Sequence, residues 1–528
     1  MSAINNPIVN GNIVPDDSIA TLDRPRVLIV GAVPAAKDAI FGSGTTAWLQ
    51  KAINTSYELA SAKEVANLIG TGSTYHRWEA AYNGSNQNVP IDFLLVKNTD
   101  ADTATTTIEF TATPAADGTL TVDVFDGFKY FANVDFKAGD TVTTLAQAVA
   151  NQLNNETVRP YTAAAAAGVV TITWVDGFVT DSTPVHVEYK DLTLACTVTH
   201  TSTPPTQPTS DLFDIIGDTR YTHILWPDYY KNTVQFAYSL LDDRFNAFNE
   251  VISGLAFTSI TIADTVAAET ETSTYNTKSI SFVAARKIDG LFGASIGSDK
   301  KQLPDTSLAF IATAHARMLT EGADLTDLGF IAEGLDDYTG GTALASFPMH
   351  NISVPNTKPS NPAWYFDHTT QNILADRLNI STYGTNRTGT NTISGNFVTM
   401  WKTDSAGNTN LTFKQVESLF TAMAIREYWD RSARIKFANT RMTNGELISG
   451  RSMVNEQMVR EWNLIVYREL ADLALVTSGA DAEKAFLRLL TITFSPQNQQ
   501  ITQTGTYEMV THVGRIDYTI KTVFNYKD

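Results

Sequence analysis

The sequence predicts an α/β and α+β multidomain protein: a discontinuous α/β domain, an antiparallel β module inserted into it, and a C-terminal α/β domain that ends in a strand arm. Three observations support this fold class. Buried-strand and helix patterns flank a Thr- and Ala-rich stretch at 98–208, two long helical patterns follow, and residues 513–526 alternate between apolar and polar. A chain of 528 residues is expected to form about three domains.

Composition excludes several classes of function. A net charge of −18 argues against a nucleic-acid partner, which requires clustered Lys and Arg. The first residues resemble neither a signal peptide nor a membrane helix, so we expect a protein made and kept in a cytoplasm unless a larger assembly carries it out. A single cysteine excludes an internal disulfide. Cys196 lies in an apolar-polar run, which predicts a strand residue rather than a nucleophile.

The first α/β segment comprises residues 25–97 and follows a polar arm at 1–24. The arm contains the short β-prone pairs Ile8-Val9 and Ile13-Val14. Val27–Val30 and Gly31 resemble the first strand of a dinucleotide-binding fold, but the next two fingerprint glycines are replaced by Val33 and Ala36. A capped helix at 61–69, a second helix at 74–82 and a buried strand at 91–96 complete this segment.

The inserted module is predicted at 98–208 because short alternating runs are separated there by turn residues. One helix, Thr144–Leu153, interrupts it. The α/β domain resumes at 209–384, with a strand at 221–226 and a helix at 233–249.

The C-terminal domain is predicted at 385–512, with helices at 412–437 and 453–476. In the first of these helices, Glu427 is spaced to pair with Arg431, and Asp430 with Arg434. We favour a helix with one core face and one solvated face. A partner-binding stripe remains the alternative.

Catalytic motifs are sparse. Residues Gly293–Gly297 match the sequence motif of a nucleophile elbow, in which Ser295 would be the nucleophile and His315, His350 or His368 the base. A charged run and Pro304 follow where a helix should begin, which favours a plain glycine-rich loop. Asp242-Asp243 and Asp336-Asp337 lack calcium-loop spacing and are predicted to lie in solvated loops. We therefore predict no catalytic residue, no metal site and no cofactor.

Residues 513–526 are predicted to form a long strand that adds to another molecule's sheet, because no proline or dense charge blunts its edge. One parity is apolar and comprises Ile516, Tyr518, Ile520, Phe524 and Tyr526.

Two segments carry a family resemblance. ELASAKEVANLIGTGSTYHRWEAAYNGSNQNVPIDFLLV and VTMWKTDSAGNTNLTFKQVESLFTAMAIREYWDRSARIKFANTRMTNG resemble the contractile-tail sheath proteins of phages, particularly the Mu-like type. The order of the parts agrees over most of the chain. The inserted module matches poorly in detail, and the final segment, TYEMVTHVGRIDYTIKTVFNYKD, is more similar to other sheath branches.

The resemblance implies a discontinuous α/β sheath core in a structural subunit, not an enzyme. Such subunits stack as rings around an inner tail tube, exchange terminal arms, and contract so that the tube crosses the target envelope. The implied partners are other copies of the chain, the tube protein, and baseplate and tail terminator proteins. The chain itself binds neither nucleic acid nor membrane, and it belongs to the virion after assembly in the host cytoplasm.

Alternatives and candidate contacts follow from the same analysis. A bacteriocin or other contractile injection system would use a similar sheath, and a serine hydrolase would use Ser295. An adhesive β-protein is expected to carry a secretion signal. We expect the inserted module on the outside of the sheath and expect truncation after Gln499 to leave a folded subunit. The candidates for a salt-sensitive tube contact are Arg426, Arg431, Arg434, Arg460 and Arg468.

Overall fold

The structure is a computed structural model that describes the greater part of the chain. The described residues are 26–33, 91–98, 104–125, 129–155, 159, 161–174, 185–189, 194–201, 205–217, 219–245, 253–286, 292–293, 366–385, 391–394, 397–437, 440–443, 453–472, 475–495 and 500–509, with short pieces between 37 and 78. The predicted N-terminal and C-terminal arms, with all nine of their candidate residues, lie outside this part.

The first segment contains strands β1 (Val27–Val33), β2 (Ala47–Trp48), β3 (Ala52–Ile53) and β4 (Ile91–Lys97), with helix α1 (Ala62–Leu68). Every residue of β1 is buried, as expected for a continuous apolar run in the centre of a parallel sheet.

The inserted module contains β5 (Thr105–Phe110), β6 (Gly118–Phe125), β7 (Lys129–Phe136), α2 (Val142–Leu153), β8 (Tyr161–Ala166), β9 (Val169–Trp174), β10 (Val185–Tyr189) and β11 (Cys196–Thr201). The predicted helix is confirmed and begins two residues earlier, because the Thr141 hydroxyl caps it by accepting from Thr144 N at 3.2 Å.

The α/β segment continues with β12 (His223–Trp226), α3 (Gln235–Arg244), β13 (Leu255–Ile262), α4 (Thr265–Thr272), β14 (Ile280–Arg286), β15 (Phe292–Gly293), α5 (His368–Asn372), β16 (Ser381–Thr385) and β17 (Asn391–Ser394). 3-10 helices at Ser210–Ile216 and Asp228–Thr233 flank β12, and a π-helical turn at Ile373–Arg377 follows α5.

The C-terminal part contains α6 (Val416–Phe437), β18 (Arg441–Met442), β19 (Met453–Val454), α7 (Glu456–Asp472), α8 (Ala480–Leu489), β20 (Thr491–Ser495) and β21 (Gln500–Thr504). Helix α8 was not predicted.

The fold is mixed α/β, with one large parallel sheet and several small antiparallel sheets. The order of the large sheet is β17-β16-β14-β13-β12-β1-β4-β2, with β3 also on β4. Strands β4, β1, β12, β13, β14 and β16 run parallel, and the edge strands run antiparallel. The sheet extends to Ser394, beyond the predicted domain boundary at residue 385.

The inserted module has its own core between two sheets, β15-β10-β6-β7 and β11-β5-β9-β8, with α2 packed against them; both sheets are antiparallel except for the parallel pair β10–β15. Its two ends meet at Asn98, whose side-chain oxygen accepts from both the N–H and the hydroxyl of Thr206 at 3.0 Å. The two-residue strand β15 is a second connection, because it comes from outside the module and pairs with β10.

Helix α6 joins the large sheet to the C-terminal part. The ring of His223 lies between Phe257 of β13 and Phe420 of α6, each 5.4 Å away between ring centroids. From Val416 to Ile425 every residue of α6 is buried, polar ones included. The predicted solvated face is therefore wrong for the first half of this helix, which is covered all round. Its second half packs against α7.

Candidate functional site

The parallel sheet has a topological switch point between β1 and β12. In chain order the chain passes from β1 to β4 on one side and then crosses to β12 on the other. In open α/β sheets, cofactors and substrates usually bind in the crevice outside the carboxyl ends of the strands at such a point. This crevice is therefore the first place to look for a small-molecule site.

Two tyrosines of the chain itself pack around Gly31 near the carboxyl end of β1, beside this crevice. The Tyr229 hydroxyl accepts from Ala32 N at 3.2 Å, next to the end of β1. The Tyr75 hydroxyl lies 2.5 Å from Gly31 O and 2.7 Å from Leu94 O, and so connects β1 to β4. Burial is the main reason that the pKa of Tyr75 is raised well above its ordinary value, with Tyr229 and Tyr230 adding to the effect. The phenol is a neutral donor.

Gly31 is required by this packing. A Cβ atom at this position would lie 3.1 Å from the Tyr229 hydroxyl and 3.2 Å from the Tyr75 ring. The glycine that resembled part of a cofactor fingerprint thus makes room for two side chains of the protein. The side chains that meet here can complete backbone hydrogen bonds, and none of these groups is an ionised acid or base suited to catalysis at neutral pH.

The catalytic candidates are not brought together. Ser295, His315 and His350 lie outside the described residues, as does Asp336-Asp337. His368 is exposed at the start of α5. Cys196 is a buried residue of β11, and burial raises the pKa of its thiol to about 12, which confirms the prediction of a strand residue rather than a nucleophile. Within the described ranges, no group of three or more His, Cys, Asp or Glu side chains could hold a metal ion.

Asp242 corrects a prediction. It lies in α3, not in a solvated loop, and its carboxylate accepts from the hydroxyls of Thr277 and Ser279 at 2.7 Å each. Lys278 Nζ lies 3.2 Å from the same carboxylate and 4.3 Å from the centre of the Phe245 ring. Asp242 therefore connects α3 to the start of β14, a structural role.

Three of the five candidate arginines contact other parts of the chain. Arg426 is half-buried and donates to Arg244 O at 3.1 Å. Burial is the main reason that the pKa of its guanidinium is lowered. Arg468 forms a two-point contact with Glu483 at 2.9 and 2.7 Å. Arg460 lies 3.8 Å from Glu456 and near the carbonyls at the end of α8. The side chains of Arg431 and Arg434 are outside the described part.

Glu427 has a partner that the sequence did not indicate. Its carboxylate is 5% exposed and accepts from Arg220 at 2.9 Å, across 207 residues of sequence. Helical spacing predicted Arg431 as the partner, on a solvated face. The buried position is decided by the contact between α6 and the segment before β12, which local sequence does not encode.

The C-terminal part contains a two-stranded hairpin whose outer edges pair with no other described strand. Strands β20 and β21 pair with each other over five residues, and among the described residues neither pairs with a further strand. A groove of about 710 Å³ begins where β21 ends, lined by Leu411 and Phe413, by Ser418 and Ala422 of α6, and by residues 505–509. An open strand edge beside a groove is suited to receiving an extended peptide.

Residues 500–509 belong to the C-terminal core, so truncation after Gln499 is the wrong cut. Gln503 accepts from Asn463 at 2.8 Å, Tyr507 stacks on Trp429 with ring centroids 5.9 Å apart, and Met509 bridges to Val476. A cut that removes the predicted arm and keeps these contacts must come between Met509 and the start of the arm at residue 513.

Comparison with known proteins found no matching family model and no significant match among curated proteins. In the described part of the chain, no helix combines the length and apolar character needed to cross a bilayer.

Proposed function

We propose that the protein is the structural subunit of a contractile tail sheath, which polymerises as rings around an inner tube and shortens to drive the tube through an envelope. The observation that carries the proposal is the open β20–β21 edge beside a groove, in a chain whose residues 513–526 have the pattern of an added strand. The resemblance of residues 58–96 and 398–445 to phage sheath proteins points the same way.

The switch-point crevice adds support from a different direction. Tyr75 and Tyr229 complete backbone hydrogen bonds of β1 and β4 beside the position where a sheet of this topology would hold a cofactor or substrate. A sheath subunit has no need of such a site, because the energy for contraction is stored in contacts between subunits when they assemble.

Strand exchange is expected to link the subunits. Residues 513–526 of one copy would add to β20 or β21 of another, with Ile516, Tyr518, Ile520 and Phe524 turned toward the receiving copy. Backbone hydrogen bonds contribute roughly 0.5–1.5 kcal/mol each, and ordering a residue costs about 1–2 kcal/mol, so one arm alone is marginal. A lattice in which every subunit gives and receives an arm makes the contact cooperative.

The test is co-expression with an inner tube protein from the same contractile system, followed by negative-stain electron microscopy. Truncation after Thr511 should leave a folded subunit that forms no tubes, and Ile520→Asp should give most of the same defect. Thr519→Asp is the matched control, because residue 519 has the opposite parity and should tolerate a charge. Tubes of normal length from the truncated protein would overturn the exchange of arms.

Charge reversal at the exposed Arg468 tests the tube contact separately. Arg468→Glu should weaken tube-templated assembly more at low salt than at high salt, because the contact is electrostatic. A same-sign change, Arg468→Lys, is the control. Assembly that is equally good in both variants would place the tube contact elsewhere. A bacteriocin or another injection system would give the same results in these assays, and the presence of packaged DNA in the particle distinguishes a phage from them.

A further inference from the structure

The inserted module has a solvent face composed largely of threonine. In the sheet β11-β5-β9-β8, side chains of one parity point away from the core, and the strand register arranges them in rows across the strands. One row is Thr201, Thr105, Thr173 and Thr162. The next row is Thr199, Thr107, Thr171 and Ala164. These two rows, with the row that follows them, are called the threonine face below.

Most hydroxyls of these two rows have no hydrogen-bond partner among the residues that the structure describes. The Thr107 hydroxyl lies 3.5 Å from Thr199 O, and among the described residues none of the other six hydroxyls has a hydrogen bond. The other sheet of the module differs: there the Thr119 hydroxyl donates to Asp135 at 3.0 Å and the Thr121 hydroxyl to Asn133 at 2.8 Å. The hydroxyls of the threonine face are free to bind something else.

The threonine face is almost uncharged. Its third row is Thr197, Glu109, Val169 and Ala166, so Glu109 is the single ionisable group among twelve positions. The chain as a whole has a net charge of −18. A cationic partner would find little to bind here, and an anionic partner would find no basic side chain. The chemistry of the face matches a neutral ligand that both donates and accepts hydrogen bonds.

The size of the threonine face argues against a stable protein partner. Strands lie about 4.8 Å apart and alternate residues about 6.8 Å apart, so four strands by three rows cover a few hundred Å². A stable protein–protein interface needs about 800 Å² on each side. The sheet also twists by roughly 20–25° per strand, so it cannot lie flush on a flat crystalline surface. A single extended chain lying across the strands satisfies both limits.

We propose that the threonine face binds a single chain of an uncharged polysaccharide. Sugar hydroxyls would exchange hydrogen bonds with the threonine hydroxyls, and the threonine methyl groups would pack against the C–H faces of the sugar rings. Binding at one face of a single subunit is expected to be weak. The inference does not depend on the proposed function, since it concerns the single subunit.

The test uses the full-length protein in native gels that contain dextran, mannan or arabinogalactan. The protein should be retarded in at least one of these gels. The triple variant Thr105→Val, Thr173→Val, Thr201→Val removes hydroxyls at nearly constant shape and should weaken retardation at least tenfold. The corresponding triple change to Ser keeps the hydroxyls and should retain most of it. The same chemical change on the other sheet, Thr119→Val with Thr121→Val, should have no effect.

Three outcomes would overturn the proposal. The first is no retardation in any of the three gels. The second is equal retardation of the wild-type protein and the Val variant, with thermal unfolding showing that both are folded. The third is concentration-dependent dimerisation that the Val variant strengthens in sedimentation velocity, which would identify a second copy of the chain as the occupant of the face.

Discussion

The ion pair between Glu427 and Arg220 is expected to be a major contributor to the junction between α6 and the large sheet. The Glu427 side chain is 5% exposed and the Arg220 side chain 16% exposed, at 2.9 Å. Glu427→Gln would leave the guanidinium at a mostly buried position without its counter-charge. Removing one partner of a buried pair costs about 3–5 kcal/mol. The upper part of this range is expected, because Arg220 Nε already lacks a hydrogen-bond partner and Arg426 is a second positive charge nearby.

Thermal unfolding measures this cost. With about 2–4 °C per kcal/mol for a domain of this size, Glu427→Gln should lower the melting temperature by on the order of 10 °C. Glu483→Gln is the control, because it breaks the exposed pair with Arg468 and should change little. The double variant Arg220→Met, Glu427→Met should recover most of the loss, since neither charge is then buried. A melting temperature for Glu427→Gln equal to that of the control would refute the assignment of a buried pair.

Four further outcomes are expected. Replacing residues 99–205 by a short Gly-Ser linker should leave a soluble protein with a circular dichroism spectrum richer in helix, because Asn98 and Thr206 already bring the two ends together; insoluble protein would contradict this. Gly254→Ala should cost about 1–3 kcal/mol or more in chemical denaturation, because its Cβ would lie 2.3 Å from a backbone oxygen of the neighbouring segment. Cys196 should resist iodoacetamide at pH 8 and react only on unfolding, since burial raises its pKa to about 12; fast labelling of the native protein would contradict this. Asp367 caps α5, and hydrogen bonds from Thr370 lower the pKa of its carboxyl group. The contribution of this group to folding stability is therefore present above its unfolded pKa near 3.8 and is lost as pH falls. Asp367→Asn should flatten the pH dependence of the melting temperature between about pH 5 and 3.

The spacing of apolar residues along the sequence predicted correctly those helices and strands that bury one face or both faces. The continuous apolar run at Val27–Val33 forms the predicted central strand, and the apolar spacing in Val142–Leu153 forms the predicted helix. Helix α8 was missed, although its acidic first turn and its apolar residues at helical spacing were visible in the sequence.

Pairing across long sequence distances was not predictable. Helical spacing indicated Arg431 as a partner of Glu427 but gave no sign of Arg220, which lies 207 positions earlier and forms a buried ion pair with it. The solvated face expected for α6 is wrong for the first half of the helix for the same reason, because distant segments cover residues 416–425 on all sides, polar ones included.

The sequence by itself determined the class of fold, the place of the inserted module and the alternating pattern of residues 513–526, because all three depend on the periodicity of neighbouring residues. Only the tertiary structure decided that Tyr75 and Tyr229 meet at Gly31 of β1, that Glu427 is buried, and that the threonines of four strands share one face. Those three features depend on strand order and register, which result from how distant segments share a common core.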